Sequence, residues 1–147
     1  MKQRTGDPWM PAARYGRDLP TFTVNLLVRD VPRAASFYTK IFAATVHYAD
    51  PDFAAINVGG VEMMLHADHT YDRHPWHAPL TRGERRGLGA ELRVLGMDPD
   101  AVERRARDNG AAVIQPATTK AHGWREVMVE DVDGYLWAVG LPTLPEK

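Results

Sequence analysis

Residues 52–65, DFAAINVGGVEMML, and residues 124–139, WREVMVEDVDGYLWAV, share one layout. In the first, apolar runs at 53–58 and 61–67 flank Gly59-Gly60, a two-residue hairpin signal. In the second, runs at 124–129 and 135–140 flank the turn Asp131-Val132-Asp133-Gly134. The same elements precede each hairpin. Residues 21–29 read as a strand, and Asp30 with Pro32 opens a helix as N-cap and first-turn proline. Ala34, Phe37, Tyr38, Ile41 and Phe42 give that helix one apolar stripe, and residues 45–49 resume strand character. In the second half, Gly87-Leu88-Gly89-Ala90-Glu91-Leu92-Arg93-Val94-Leu95 alternates as a strand. Asp98-Pro99-Asp100 caps a helix marked by Ala101, Val102 and Ala106, Asn109-Gly110 ends it, and residues 112–115 form a strand before a loop at 116–123. The order βαβββ therefore occurs twice, and the chain is an internal duplication.

Composition limits what such a duplication does. With 147 residues, 44% of them hydrophobic and 25% charged, the chain suits one globular unit or two small fused ones. At this length folding hides roughly 68–70% of the unfolded surface, enough for a genuine core. The net charge of −1 gives no electrostatic case for nucleic acid or an anionic membrane. The run Arg82-Gly83-Glu84-Arg85-Arg86 reads as a solvated loop. With no cysteine there are no disulfides, thiol nucleophiles or thiolate metal sites. No apolar run approaches the ~20 residues of a membrane span, and residues 1–20 lack the apolar region of a signal peptide. A cytoplasmic location is expected. The divisions expected are an N-terminal arm at 1–20, a first module at 21–67, a connection at 68–86 and a second module at 87–142. The arm, rich in proline and glycine, reads as non-helical, with Trp9 and Met10 pinning it to a surface such as that of a second subunit.

The stretches NLLVRDVPRAASFYTKIF (25–42) and HGWREVMVEDVDGYLWAVG (122–140), with the duplicated order, resemble the vicinal oxygen chelate superfamily. That superfamily holds glyoxalase I, bleomycin-resistance proteins and extradiol dioxygenases. The resemblance covers about residues 21 to 142. It implies an α+β fold in which two tandem βαβββ modules curl eight strands of mixed direction into a cup, with helices outside. In metal-using members, four strands each supply one ligand to the cup. Carried over here, those positions fall on Thr23, Met64, Gly89 and Ala138. Such residues do not suit a hard or borderline divalent cation. No cofactor is therefore expected, and the resemblance favours members that bind a small molecule without metal, as the bleomycin-resistance proteins do.

If odd-numbered residues of the first strand face the cup, alternation places Asn25, Leu27, Asn57, Met64, His66, Glu91, Arg93, Trp124, Glu126 and Met128 there. The opposite set, including Val24, Leu26, Val28, Leu65, Val127 and Trp137, is almost wholly apolar, as a core should be. Glu91 and Arg93 either pair with each other or orient a polar ligand, with Glu91 as a base and His66 as its proton-transfer partner. Asn25, Asn57, His66, Trp124 and Glu126 are the other candidate ligand contacts, and Trp76 in the connection is a candidate to close the cup. The alternative is a divalent metal relocated to His66, Glu91 and one further residue, which would make the protein a metal-dependent lyase, isomerase or dioxygenase. A homodimer is also expected.

Overall fold

A computed structural model describes residues 1–145. Its elements are α1 (Ala12–Asp18), β1 (Val24–Val28), α2 (Val31–Phe42), β2 (Thr45–Ala49), β3 (Phe53–Val58), β4 (Val61–Ala67), α3 (His77–Thr81), β5 (Leu92–Leu95), α4 (Pro99–Asp108), β6 (Ala112–Thr119), β7 (Trp124–Glu130) and β8 (Leu136–Pro142). The eight strands fall into two four-stranded sheets, ordered β1-β4-β3-β2 and β5-β8-β7-β6. Each sheet has one parallel pair, β1 with β4 and β5 with β8, and its other pairs are antiparallel. This is the duplicated α+β architecture that the repeat implies.

Local chemistry starts both long helices. The Asp30 carboxylate accepts from the Arg33 N–H at 2.9 Å, and Asp98 accepts from the Asp100 N–H at 3.0 Å. Each helix lays its apolar stripe on its own sheet, and the two stripes share one core. Val28, Phe42 and Leu65 belong to it, as do Val102, Val127 and Trp137 from the second half. The even-numbered β1 residues point into that core, as alternation predicts. Both sheets thus turn one side to a common interior and the other side away from it.

The Asp131–Gly134 turn joins the halves. Asp131 accepts from the Tyr38 hydroxyl of α2, from Trp137 Nε1 at 3.0 Å, and from the backbone N–H groups of Asp133 and Tyr135 at 3.0 Å. Asp133 accepts from the Arg29 N–H at 2.9 Å. Arg86 donates to both Asp68 oxygens and, at 2.8 Å, to the carbonyl of Leu27, which the Tyr135 hydroxyl also reaches at 2.8 Å. Burial raises the Asp133 carboxyl above its ordinary range, although the Arg29 N–H and the two arginines pull the other way. The turn motif is thus a polar staple between modules. Arg86 is 4% exposed, so the expectation of a solvated basic run fails at this residue.

Four other expectations change. The arm contains a helix, α1, which starts directly after Pro11; a proline before the first turn removes no helical hydrogen bond. The strand expected at 87–95 begins only at Leu92. Gly87 and Gly89 adopt φ of 63° and 90°, and the Ala90 N–H closes a turn on Gly87 O. The connection at 68–86 gains the short helix α3. Finally, the loop expected at 116–123 is mostly strand, because β6 runs to Thr119 past irregular register at Pro116.

Candidate functional site

The face of the first sheet turned away from the core carries Asn25, Leu27, Phe53, Ala55, Met64 and His66, which the register sets side by side. The arm folds across this face. Trp9 stacks on Tyr48 with ring centroids 5.4 Å apart and 7° between planes, and Tyr15 meets Phe53 edge-on at 5.3 Å. The arm is fastened by Asp52, which accepts from the backbone N–H groups of Gln3 (2.7 Å) and Arg4 (3.0 Å) and lies 2.7 Å from His69 Nε2. Burial acts to raise the Asp52 carboxyl, but His69 and these backbone donors outweigh it and bring it down to about 2. The arm is thus pinned to its own chain.

Between arm and sheet lies a cavity of about 340 Å³, whose walls include Trp9, Tyr15, Tyr48, Phe53, Met64 and His66. His66 Nδ1 lies 2.7 Å from Asn25 Oδ1, and Asn25 Nδ2 donates to the Tyr71 hydroxyl at 3.3 Å. The amide oxygen therefore accepts from an Nδ1–H, which leaves Nε2 as the imidazole's acceptor. Burial lowers the His66 pKa to about 4, so the ring is neutral at physiological pH. Its flanks are closed by Phe53 and Tyr71, with centroids at 4.9 and 4.7 Å.

A second polar group lies on the corresponding face of the second sheet. Arg93 donates to Glu91 at 2.5 Å and to Glu126 at 2.7 Å, and its guanidinium sits 4.5 Å over the Trp124 ring. The hydrogen bond to Glu91, with that to Glu126, holds Arg93 firmly protonated against desolvation. Glu126 is buried at 2% exposure, and His122 Nε2 is 3.7 Å from it. With two carboxylates already on the guanidinium, little of its charge is left for an anionic ligand.

The expected ligand contacts are thus divided. His66 lines the arm-covered cavity, while its partner Asn25 lines a neighbouring cavity with Trp76; Glu91, Arg93, Trp124 and Glu126 belong to the second sheet. No hydrogen bond, ion pair or ring contact joins the two sets among the described residues. Asn57 serves the β3–β4 turn, donating to Glu62 at 2.8 Å and accepting from the Gly60 N–H at 3.0 Å. Trp76 stands in a separate cavity of about 330 Å³ with Leu27, Leu80, Leu88 and Tyr135. Glu91 is exposed, not desolvated as a proton-transfer role with His66 would need. Of the family's ligand positions, Met64 and Ala138 lie on the two faces away from the core, while Thr23 and Gly89 precede β1 and β5. A thioether, a methyl group and a bare glycine do not fit a divalent cation there. Among the described residues, no three His, Asp or Glu side chains are grouped to hold one.

The sequence model of the glyoxalase/bleomycin resistance protein/dioxygenase superfamily matches residues 22–139. The chain belongs to this superfamily. An uncharacterized protein of Mycobacterium bovis is 28% identical over 129 residues, spanning 84% of both chains. Its Mycobacterium tuberculosis H37Rv counterpart matches equally well over 84% of this chain and 75% of its own length. Among solved structures, a superfamily enzyme of Burkholderia phytofirmans aligns at a TM-score of 0.66 and 18% identity, over 82% of this chain and 96% of that one. TioX from Micromonospora sp. ML1 aligns at 0.60 and 20% identity, over 87% and 100%. These likenesses carry the superfamily fold. The superfamily match begins at residue 22, so the arm that roofs the cavity lies outside it.

The arm's part in the site was hard to see in sequence. Trp9 was a visible signal of docking. Nothing in the local sequence pattern marks Tyr15, Tyr48, Asp52 or Phe53 as partners between the arm and the sheet.

Proposed function

We propose that this superfamily member is a small-molecule-binding protein that holds a polar or aromatic organic ligand without metal in the cavity beneath its arm. One observation carries the reading: an aromatic-walled cavity of about 340 Å³ with a neutral imidazole in its wall. That volume falls in the range of small-molecule sites, roughly 300–1,000 Å³, and few polar groups in an apolar wall are what orient a ligand. The donor chemistry at Thr23, Met64, Gly89 and Ala138 argues against the metal-dependent lyase, isomerase or dioxygenase alternative. We place homodimer contacts on the second sheet's open face, where Leu95 is 52% exposed beside Arg93. No helix among the described residues is long and apolar enough to cross a membrane.

The test is metal content and melting temperature of untagged protein, with and without chelator, followed by a thermal-shift screen of small aromatic compounds. Sub-stoichiometric metal, a melt indifferent to chelator, and stabilisation by aromatic ligands are expected. Stoichiometric metal whose removal lowers the melting temperature, or a screen without a single stabilising compound, would overturn the reading.

A further inference from the structure

A groove of about 360 Å³ runs along the helical side of the molecule, where α2 of the first module meets the second module. One wall is α2 itself. Arg33, Ser36, Phe37 and Lys40 follow one another at helical spacing and turn to the same side. The opposite wall comes from residues 109–112, after α4, and residues 130–132, at the β7–β8 turn. Phe37, buried at its base, gives the α2 wall an apolar stretch between the two cations. The groove shares no residue with the cavity under the arm.

Its open charges are positive. Glu130 directs its carboxylate to Arg85, 3.6 Å away, and Arg85 does not line the groove. Asp131 is buried, and both its oxygens are taken by the staple. Arg33 and Lys40 are exposed and make no ion pair among the described residues. Lys40 stands in the last turn of α2, where the helix dipole favours a cation. Arg33 stands in the first turn, where the dipole does not, so helix formation gives no account of it. At 1.5 Å per residue the two lie roughly 10 Å apart along the axis. A forked guanidinium at one end and an ammonium at the other, with an apolar stretch between, complement a molecule that is anionic at both ends.

We propose that this groove is a second binding site, for a slender organic dianion. One terminal carboxylate pairs with Arg33, the other with Lys40, and the apolar spacer lies along Phe37. Such a ligand touches both modules at once, so its binding strengthens their docking beside the Asp131 staple.

Calorimetry on the full chain compares suberate, octanoate and 1,8-octanediol at equal ionic strength, with melting temperatures measured alongside. Suberate should bind best. Octanoate, which lacks one anionic end, should bind about tenfold more weakly, and the uncharged diol not at all. At ten times its dissociation constant, suberate should raise the melting temperature by about 3–6 °C. Arg33→Gln and Lys40→Gln should each bring suberate down to the affinity of octanoate. Both side chains are exposed, so the melt of the free protein should stay where it is. Equal binding of suberate and octanoate, undiminished suberate binding in either variant, or no suberate binding would overturn the site. None of these results bears on the cavity under the arm.

Discussion

Replacing Asp131 by Asn tests whether the turn between β7 and β8 staples the two modules. The substitution keeps shape and volume but leaves one acceptor oxygen where the carboxylate had two. In the native protein Oδ1 accepts two backbone N–H groups, from Asp133 and Tyr135. Oδ2 accepts the Tyr38 hydroxyl and, at 3.0 Å, Trp137 Nε1. If the Asn oxygen stays with the backbone, its NH₂ faces Trp137 and Tyr38. The Tyr38 hydroxyl can rotate to accept, whereas the indole N–H cannot. One buried donor is stranded, at about 1–3 kcal/mol, and the bonds to a charged acceptor become bonds to a neutral one, at about 1 kcal/mol more.

The expected loss is therefore about 3 kcal/mol, a large share of a stability of about 5–15 kcal/mol. In urea unfolding, with a slope of about 1–3 kcal/mol/M, the midpoint should fall by roughly 1–3 M. Tyr38→Phe is the control. It removes the hydroxyl but leaves Trp137 bonded to a full carboxylate, so it should cost about 1 kcal/mol. An Asp131→Asn variant within about 0.5 kcal/mol of the parent, or a Tyr38→Phe variant equally damaged, would refute the staple.

Arg86→Ala should cost about 3 kcal/mol by leaving the part-buried Asp68 without its cation and the buried Asp133 with Arg29 alone, measured by the same unfolding assay. Asp52→Asn should loosen the arm without unfolding the domain, so trypsin should cut at Arg14 and Arg17 about tenfold faster while the melt barely moves. Because Asp52 titrates near 2 when folded, its contribution to arm docking is complete above its ordinary range near 4 and is lost as pH falls toward 2. His66 acts in the same direction over a higher pH range. Its folded pKa of about 4 lies below the unfolded value near 6.5, so the unfolded chain takes up the proton first and stability drops as pH falls from about 6.5 to 4. That slope should flatten in His66→Phe, compared by urea midpoints at the two pH values.

Periodicity made most of the fold legible, because burial on one side writes itself into alternation and into helical stripes. Val24, Leu26 and Val28 announced which face of β1 was core, and register then carried the assignment to Met63, Leu65 and Ile56. Two kinds of information were missing from that pattern. Backbone conformation at Gly87 and Gly89 cut short a strand whose side-chain alternation looked intact. Partner choice among charges was also unreadable: Arg86 and Arg85 are neighbours in one basic run, yet one is buried on Asp68 and the other is exposed. Alternation likewise put His66 and Arg93 on the faces away from the core. It did not reveal that those faces belong to two sheets with a core between them.

The candidate site is divided between the sheet inside the superfamily match and the arm outside it. The sheet supplies His66, held in one tautomer by Asn25, and a floor of Phe53 and Met64. The arm turns that face into a cavity. Trp9 and Tyr15 form its roof, and Asp52 fixes the backbone of Gln3 and Arg4 at its edge. A roof pinned mainly through one carboxylate can leave its sheet without disturbing the core, since no residue of α1 is buried in it. On the proposed binding function, ligand entry requires only arm opening, a local event governed by Asp52, His69 and the Trp9–Tyr48 stack. The same contacts therefore set both the affinity of the closed cavity and the rate at which it admits a ligand. Asp52→Asn should accordingly raise association and dissociation rates together, with a smaller change in their ratio.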